Sequence, residues 1–238
     1  MKYAYWAGLY VMIAALLMGS PQLIAADPLS SDPIVRDVPQ MLAEYPDNIK
    51  LLFENEYVWV LEYRLEPGEA LPVHDLGNHA VYTLSDYRML FLRSYEPSAE
   101  RWISGEAYWY RCEPQEVKNI GDALALYVAV ARKPFPLGEA PRIAPEDDLT
   151  VSNPQGAKRL LENSHMRIIE VTLSPGETQP VHQGLYRVVY SLANYQIRMA
   201  GKERQFHSGD AHFHGPGEHA VQNTGQTWAK YIVFELHK

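Results

Sequence analysis

Leu65-Glu66-Pro67-Gly68-Glu69, running on to Pro72-Val73-His74, returns 108 residues later as Leu173-Ser174-Pro175-Gly176-Glu177, running on to Pro180-Val181-His182. A repeat at a fixed offset sets the architecture before any single motif is consulted. The offset holds outside the quoted stretch. Glu54-Asn55 pairs with Glu162-Asn163, Val81-Tyr82 with Val189-Tyr190, Leu84 with Leu192 and Tyr87 with Tyr195. Further on it falls to 104, pairing Gly105 with Gly209, Asn119 with Asn223 and Tyr127 with Tyr231. A four-residue difference between the copies is best absorbed in a loop.

Each copy is patterned as strand. Val58-Trp59-Val60-Leu61-Glu62-Tyr63 and Met166-Arg167-Ile168-Ile169-Glu170-Val171 are rich in β-branched, aromatic and aliphatic residues, and proline–glycine breaks punctuate such runs at short intervals. That combination predicts antiparallel strands of a sandwich or barrel. The best helical candidate is Val38 to Glu44, ahead of the first copy. The stretch from Pro134 to Gly156 is rich in proline, glycine and acidic residues, with little periodicity, and reads as a linker with the boundary near Pro145.

Composition narrows the function classes. With 47% hydrophobic and 21% charged residues in 238, the chain reads as a packed globular protein. Its formal net charge of -8 argues against nucleic acid or another polyanion as partner. Cys112, the single cysteine, excludes an intrachain disulfide and is read as a buried small hydrophobe without chemistry. Lys2, the apolar run Ala4 to Met18, the breakers Gly19-Ser20-Pro21 and then Ile24-Ala25-Ala26 have the layout of a secretory signal, with cleavage expected after Ala26. An uncleaved anchor is the alternative, although the run is shorter than the ~20 residues of a spanning helix. The expectation is an exported protein, periplasmic or extracellular, without stable membrane insertion once the leader is removed. The expected layout is signal peptide 1–26, N-terminal segment 27–49, first barrel 50–133, linker 134–157 and second barrel 158–238.

Pro-Gly-x4-Pro-x-His, followed by Gly-Asp and a later His-x3-Asn, resembles the cupin superfamily. The resemblance covers nearly all of residues 50–238 and implies an all-β chain of two tandem cupin barrels, each a double-stranded β-helix or jelly roll. Gly68 with His74 and Gly176 with His182 reproduce the opening of the family's first motif at its spacing. The rest of that motif departs. Leu76 and Gly184 stand where its second histidine belongs, and apolar residues around Ala80 and Val188 stand where its glutamate belongs. The second motif survives in the second copy as Gly209-Asp210, Pro216-Gly217, His219 and Asn223, one residue short before the histidine; the first copy has Gln115 there.

A mononuclear site for iron, manganese, nickel, copper or zinc needs three or four neutral imidazoles or carboxylates converging on one point. The second copy offers His182, His212, His214 and His219 as candidate ligands of a divalent metal. His212 and His214 share one strand face. If that face is inward they replace the missing ligands; if outward they are solvated. Tyr186, Arg187 and Tyr190 follow the first motif and are candidates to contact substrate, arginine suiting a carboxylate and tyrosine a proton transfer or a stacked ring. Ordinary strand packing is the other reading of all three. The first copy keeps His74 and adds His79, but has Tyr108 and Tyr110 opposite His212 and His214, so it reads as structural, with a metal-free aromatic pocket left open. His165, His207 and His237 match no family position and are expected at the surface.

Two functions are consistent with these residues. One is a metal-dependent cupin enzyme, of oxygenase, decarboxylase, isomerase or lyase type, acting on a small organic acid or sugar derivative. The other is a metal-free cupin that binds a small molecule or is purely structural. A monomer is the default, a homodimer the alternative.

Overall fold

The computed structural model describes residues 35–93 and 96–238, so the signal-like N-terminus lies outside the described residues. Those residues from Val35 on form one compact unit, almost entirely of antiparallel strands. A short helix, α1 (Val38–Glu44), comes first. Asp37 accepts from the Gln40 backbone N–H and Gln40 reaches back to the Asp37 N–H, a reciprocal cap that explains why so short a helix starts there.

The first copy then contributes β1 (Ile49–Glu54), β2 (Val58–Leu65), β3 (Ala70–His74), β4 (His79–Thr83), β5 (Tyr87–Arg93), β6 (Ser98–Trp102), β7 (Ala107–Tyr110), β8 (Gln115–Asn119) and β9 (Ala125–Arg132). They make two facing sheets, in the order β1-β2-β9-β4-β7 and β3-β8-β5-β6. After a turn of 3-10 helix at Pro145–Asp147 and a second short helix, α2 (Leu149–Ser152), the second copy follows. Its strands are β10 (Ala157–Glu162), β11 (Met166–Leu173), β12 (His182–Gly184), β13 (Arg187–Ser191), β14 (Tyr195–Met199), β15 (Lys202–Phe206), β16 (Ala211–His214), β17 (Gly217–His219), β18 (Val221–Asn223) and β19 (Ala229–Leu236). One sheet runs β10-β11-β19-β13-β16, and opposite it lie β15-β14-β18 and β12-β17.

The repeat extends to strand register. Ile49 faces Tyr63 as Ala157 faces Val171, and β1 and β10 carry their bulges at matching positions, between Leu51 and Phe53 and between Arg159 and Leu161. His79 faces Tyr110 as Arg187 faces His214, which reproduces both offsets, 108 before the length change and 104 after it. The length change lies in the hairpin between β14 and β15, in agreement with a loop. The stretch read as a linker contains a short helix: α2 matches α1 in position, so each copy is a helix followed by a barrel. Proline and acidic residues hid that helix, which is only one turn long.

The two five-stranded sheets pack face to face. Val58, Val60, Tyr82 and Val130 of the first copy share one buried cluster with Ile168, Val188, Ile232 and Phe234 of the second. The alternate residues fill the barrels: Leu61, Tyr63 and Leu65 in the first, Ile169, Val171 and Leu173 in the second. Strands buried on both faces read as continuous apolar runs rather than alternating ones, which is the pattern of β2, β9, β11 and β19.

Asn119 and Asn223, four residues after Gln115 and His219, do identical work. Asn223 Nδ2 donates to the carbonyls of Leu173 and Thr227, and its Oδ1 accepts from the Gly225 N–H; Asn119 does the same with Leu65, Ala123 and Gly121. Both are fully buried. Replacing either by alanine strands three backbone groups, each costing on the order of 1 kcal/mol or more. Asn223→Ala is therefore expected to lower stability by about 2–4 kcal/mol, read from the urea midpoint, with Asn119→Ala similar.

Candidate small-molecule site in the second barrel

His182, His212, His214 and His219 all line the interior of the second barrel. The cross-strand pair His182 and His219, on β12 and β17, brings their rings to 4.1 Å. On β16, His212 and His214 face inward together, 4.9 Å apart, and His212 stacks on Phe206 at 4.4 Å. The inward alternative for that pair is the one adopted.

Backbone carbonyls orient two of these rings. His182 Nδ1 lies 2.9 Å from the Pro180 carbonyl and His219 Nδ1 lies 3.3 Å from the Gly217 carbonyl. A carbonyl can only accept, so Nδ1 carries the proton and Nε2 keeps its lone pair. His74 and His79 in the first barrel are held the same way, at 2.7 Å from Pro72 and 2.8 Å from Gly77. His212 is different: its buried Nδ1 has no partner among the described residues.

Arg187 occupies the middle of this group. It sits on β13 between His214 of β16 and Glu235 of β19, and only 5% of it is exposed. Its Nη1 donates to the carbonyls of Leu185 (2.9 Å) and Gly215 (3.0 Å), and its Nη2 lies against the His219 ring, donating to Nε2 at 3.2 Å with Nδ1 at 3.5 Å. Of five N–H groups, two remain for a ligand.

Strand alternation separates the three candidates that follow the first motif. Arg187 and Val189 point into the barrel, so Tyr186 and Tyr190 point out of it. Tyr190 is buried in the inter-barrel core, and Tyr186 packs on Tyr57 and Phe213. The expectation that they contact substrate is corrected accordingly. Cys112 is also corrected: it is exposed, its thiol donating to Asp75 at 2.9 Å. His237 is half-buried, with Nδ1 donating to the Asn163 carbonyl, whereas His165 and His207 are exposed.

Sequence reasoning missed a buried charge pair in the wall of the site, which Glu235 lines together with Arg187. Glu235 receives Arg167 Nε at 2.8 Å and Nη2 at 2.6 Å, while Arg167 Nη1 also donates to Asp148, the cap of α2. Leu149 of the same helix lines the pocket. A charged residue near the end of the otherwise apolar run Tyr231-Ile232-Val233-Phe234 was the available signal.

The cavity is about 40 Å³, room for roughly three waters at 10–15 Å³ each. Its floor is apolar, with Ile169, Ile197, Val221 and Val233. The first barrel has half that space, about 20 Å³. There Tyr63, Tyr87, Trp102 and Tyr127 stack at 4.8 to 5.8 Å, and Gln115 accepts from Arg93.

Burial keeps the imidazoles neutral. It pushes His212 down to about 3, reinforced by His214; His214 to about 4, with Arg187 adding; and His219 to about 3, with Arg187 and His182 adding. His182 is also lowered, mainly by burial.

Neutral imidazoles are the right donors for a divalent metal, but their arrangement does not fit one. Among the described residues no three His, Cys, Asp or Glu side chains converge on one point. His219 Nε2 accepts from the Arg187 guanidinium, which places a positive charge beside the imidazoles.

Topology and register define a two-barrel cupin fold. Among solved structures the chain is similar to AerE from Microcystis aeruginosa (TM-score 0.61, 12% identity, covering 80% of this chain and 93% of that one). It is also similar to oxalate decarboxylase from Bacillus subtilis (TM-score 0.57, 12% identity, 82% and 70%). No family model and no curated protein matches the sequence.

Because His79, His212, His214 and His219 titrate below their ordinary 6.5, the unfolded chain binds more protons in the window between the two values. Their contribution is complete above pH 6.5 and is lost as pH falls towards 4, at up to about 1.4 kcal/mol per unit for each residue. Denaturant midpoints measured from pH 7.5 to 4.5 are expected to fall steeply below 6.5, with a shallower fall in His212→Phe.

Proposed function

We propose that this protein is an exported two-barrel cupin whose second barrel binds a small carboxylate, or an oxyanion of similar size, without a metal. The carrying observation is Arg187: a guanidinium buried among neutral imidazoles, with two N–H groups unpartnered and a small cavity in front of it. A buried arginine with free donors is well matched to a carboxylate, which accepts two parallel N–H bonds. The size of the cavity favours a ligand of a few non-hydrogen atoms over a sugar. The signal-like sequence up to Ala26 supports export.

The competing reading is a divalent metal held by His182, His212, His214 and His219, with cupin-type enzymatic chemistry. Its support is the outward-anchored Nδ1 of His182 and His219, an arrangement that also orients metal-ligating imidazoles. The position of Arg187 favours the anion.

Isothermal titration of the leaderless protein with formate, acetate and oxalate, and with glycerol as a neutral control, tests the proposal. At least one carboxylate is expected to bind at one site per chain and glycerol not at all. Arg187→Met is expected to weaken that binding tenfold or more. Because an anion raises the affinity of neighbouring imidazoles for protons, binding is expected to be tighter at pH 5.5 than at 7.5. Failure of every carboxylate to bind would overturn the proposal.

A further inference from the structure

Gly184 and Arg187 work as a pair. Gly184 needs no special backbone angle, since it is absent from the residues with positive φ. What it lacks is a side chain. A Cβ at 184 would collide with Arg187 Nη1 and would stand 2.8 Å from its Cζ and 2.9 Å from His219 Cε1, closer than real Cβ atoms approach. A side chain at 184 therefore points at the space that the guanidinium now fills, beside His182 and His219. The first copy, on the same backbone, makes the opposite choice in both places: Leu76 matches Gly184 and is buried, and His79 matches Arg187. A large residue at the first position goes with a short ring at the second, and no side chain at the first goes with the long arginine.

We infer that Arg187, admitted by the missing side chain at Gly184, is a resident cation that excludes divalent metal from the imidazole cluster of the second barrel. The guanidinium holds the lone pair of His219 Nε2 and places a fixed positive charge beside His214 and His182. A divalent ion would have to displace both the hydrogen bond and the charge. Remove the guanidinium, and His182 and His219 keep their backbone anchors on Pro180 and Gly217 and share one cavity with His212 and His214, so that rings that do not converge around Arg187 gain the room to do so. The inference builds on the anion reading by assigning what keeps the site metal-free, and it can stand or fall separately from it.

The experiment is titration of the chelator-treated, untagged leaderless protein with Co²⁺, followed by visible absorption, and with Zn²⁺, followed by calorimetry. The native chain is expected to take up neither stoichiometrically at micromolar concentration. Arg187→Met, with its fold checked by circular dichroism, is expected to bind one ion per chain at least tenfold more tightly than native, with the absorption of imidazole-bound Co²⁺. Should that variant fail to fold, Arg187→Gln serves, as does Gly184→Ala, which displaces the guanidinium without removing it. Addition of His182→Ala is expected to abolish the gained binding. Stoichiometric micromolar binding by the native chain would overturn the inference, and so would folded variants without any gain. Absence of carboxylate binding alongside a metal gain in Arg187→Met would overturn the anion reading alone.

Discussion

Two five-stranded sheets pressed face to face make the molecule what it is. Each sheet has a barrel interior on one side and its partner sheet on the other, so β2, β9, β11 and β19 have almost no solvent face. Burying both faces multiplies the apolar area removed from water, the principal driving force of folding. It also fixes register, because a one-residue slip would exchange the interface set for the interior set. The site inherits its precision from this: Arg187 and Val189 look inward only because Val188 and Tyr190 are held in the interface.

Given one scaffold in duplicate, the copies differ in what fills them. The first barrel is closed by stacked aromatics, with His74, His79 and Gln115 among them. The second replaces Tyr108, Tyr110 and Gln115 by His212, His214 and His219 and encloses a larger cavity, walled by imidazoles and a guanidinium. Aromatic rings contribute packing area and need few partners, whereas imidazoles and a guanidinium must be satisfied or left facing a ligand. The contrast leaves one copy filled by packed rings and gives the other a cavity with polar walls, on the same strand order.

Charge is balanced in the wall of the site itself, where Glu235 lines the cavity beside Arg187. Arg167, Glu235 and Asp148 form a buried chain from the wall of the cavity to the cap of α2. Breaking such a pair by removing one member leaves an uncompensated buried charge. Glu235 also faces Arg187 across the strands, so the guanidinium is tolerated in a low-dielectric interior.

Sequence by itself determined the duplication, the strand-rich architecture, α1, and the second copy as the chemically interesting one. These depend on periodicity and spacing, which are local and survive in a one-dimensional record. The four histidines were legible as a set for the same reason. Direction was not. Whether His212 and His214 face in, and whether Tyr186 or Arg187 reaches the cavity, depends on the phase of β13 and β16, which only the packing of one barrel on the other decides. Nor could the sequence display the Arg187–His219 bond, the space that Gly184 leaves, or the Arg167–Glu235 pair, whose partners are 68 residues apart. Those are meetings of distant residues in three dimensions. They turn a histidine cluster that resembles a metal centre into a pocket organised around an arginine.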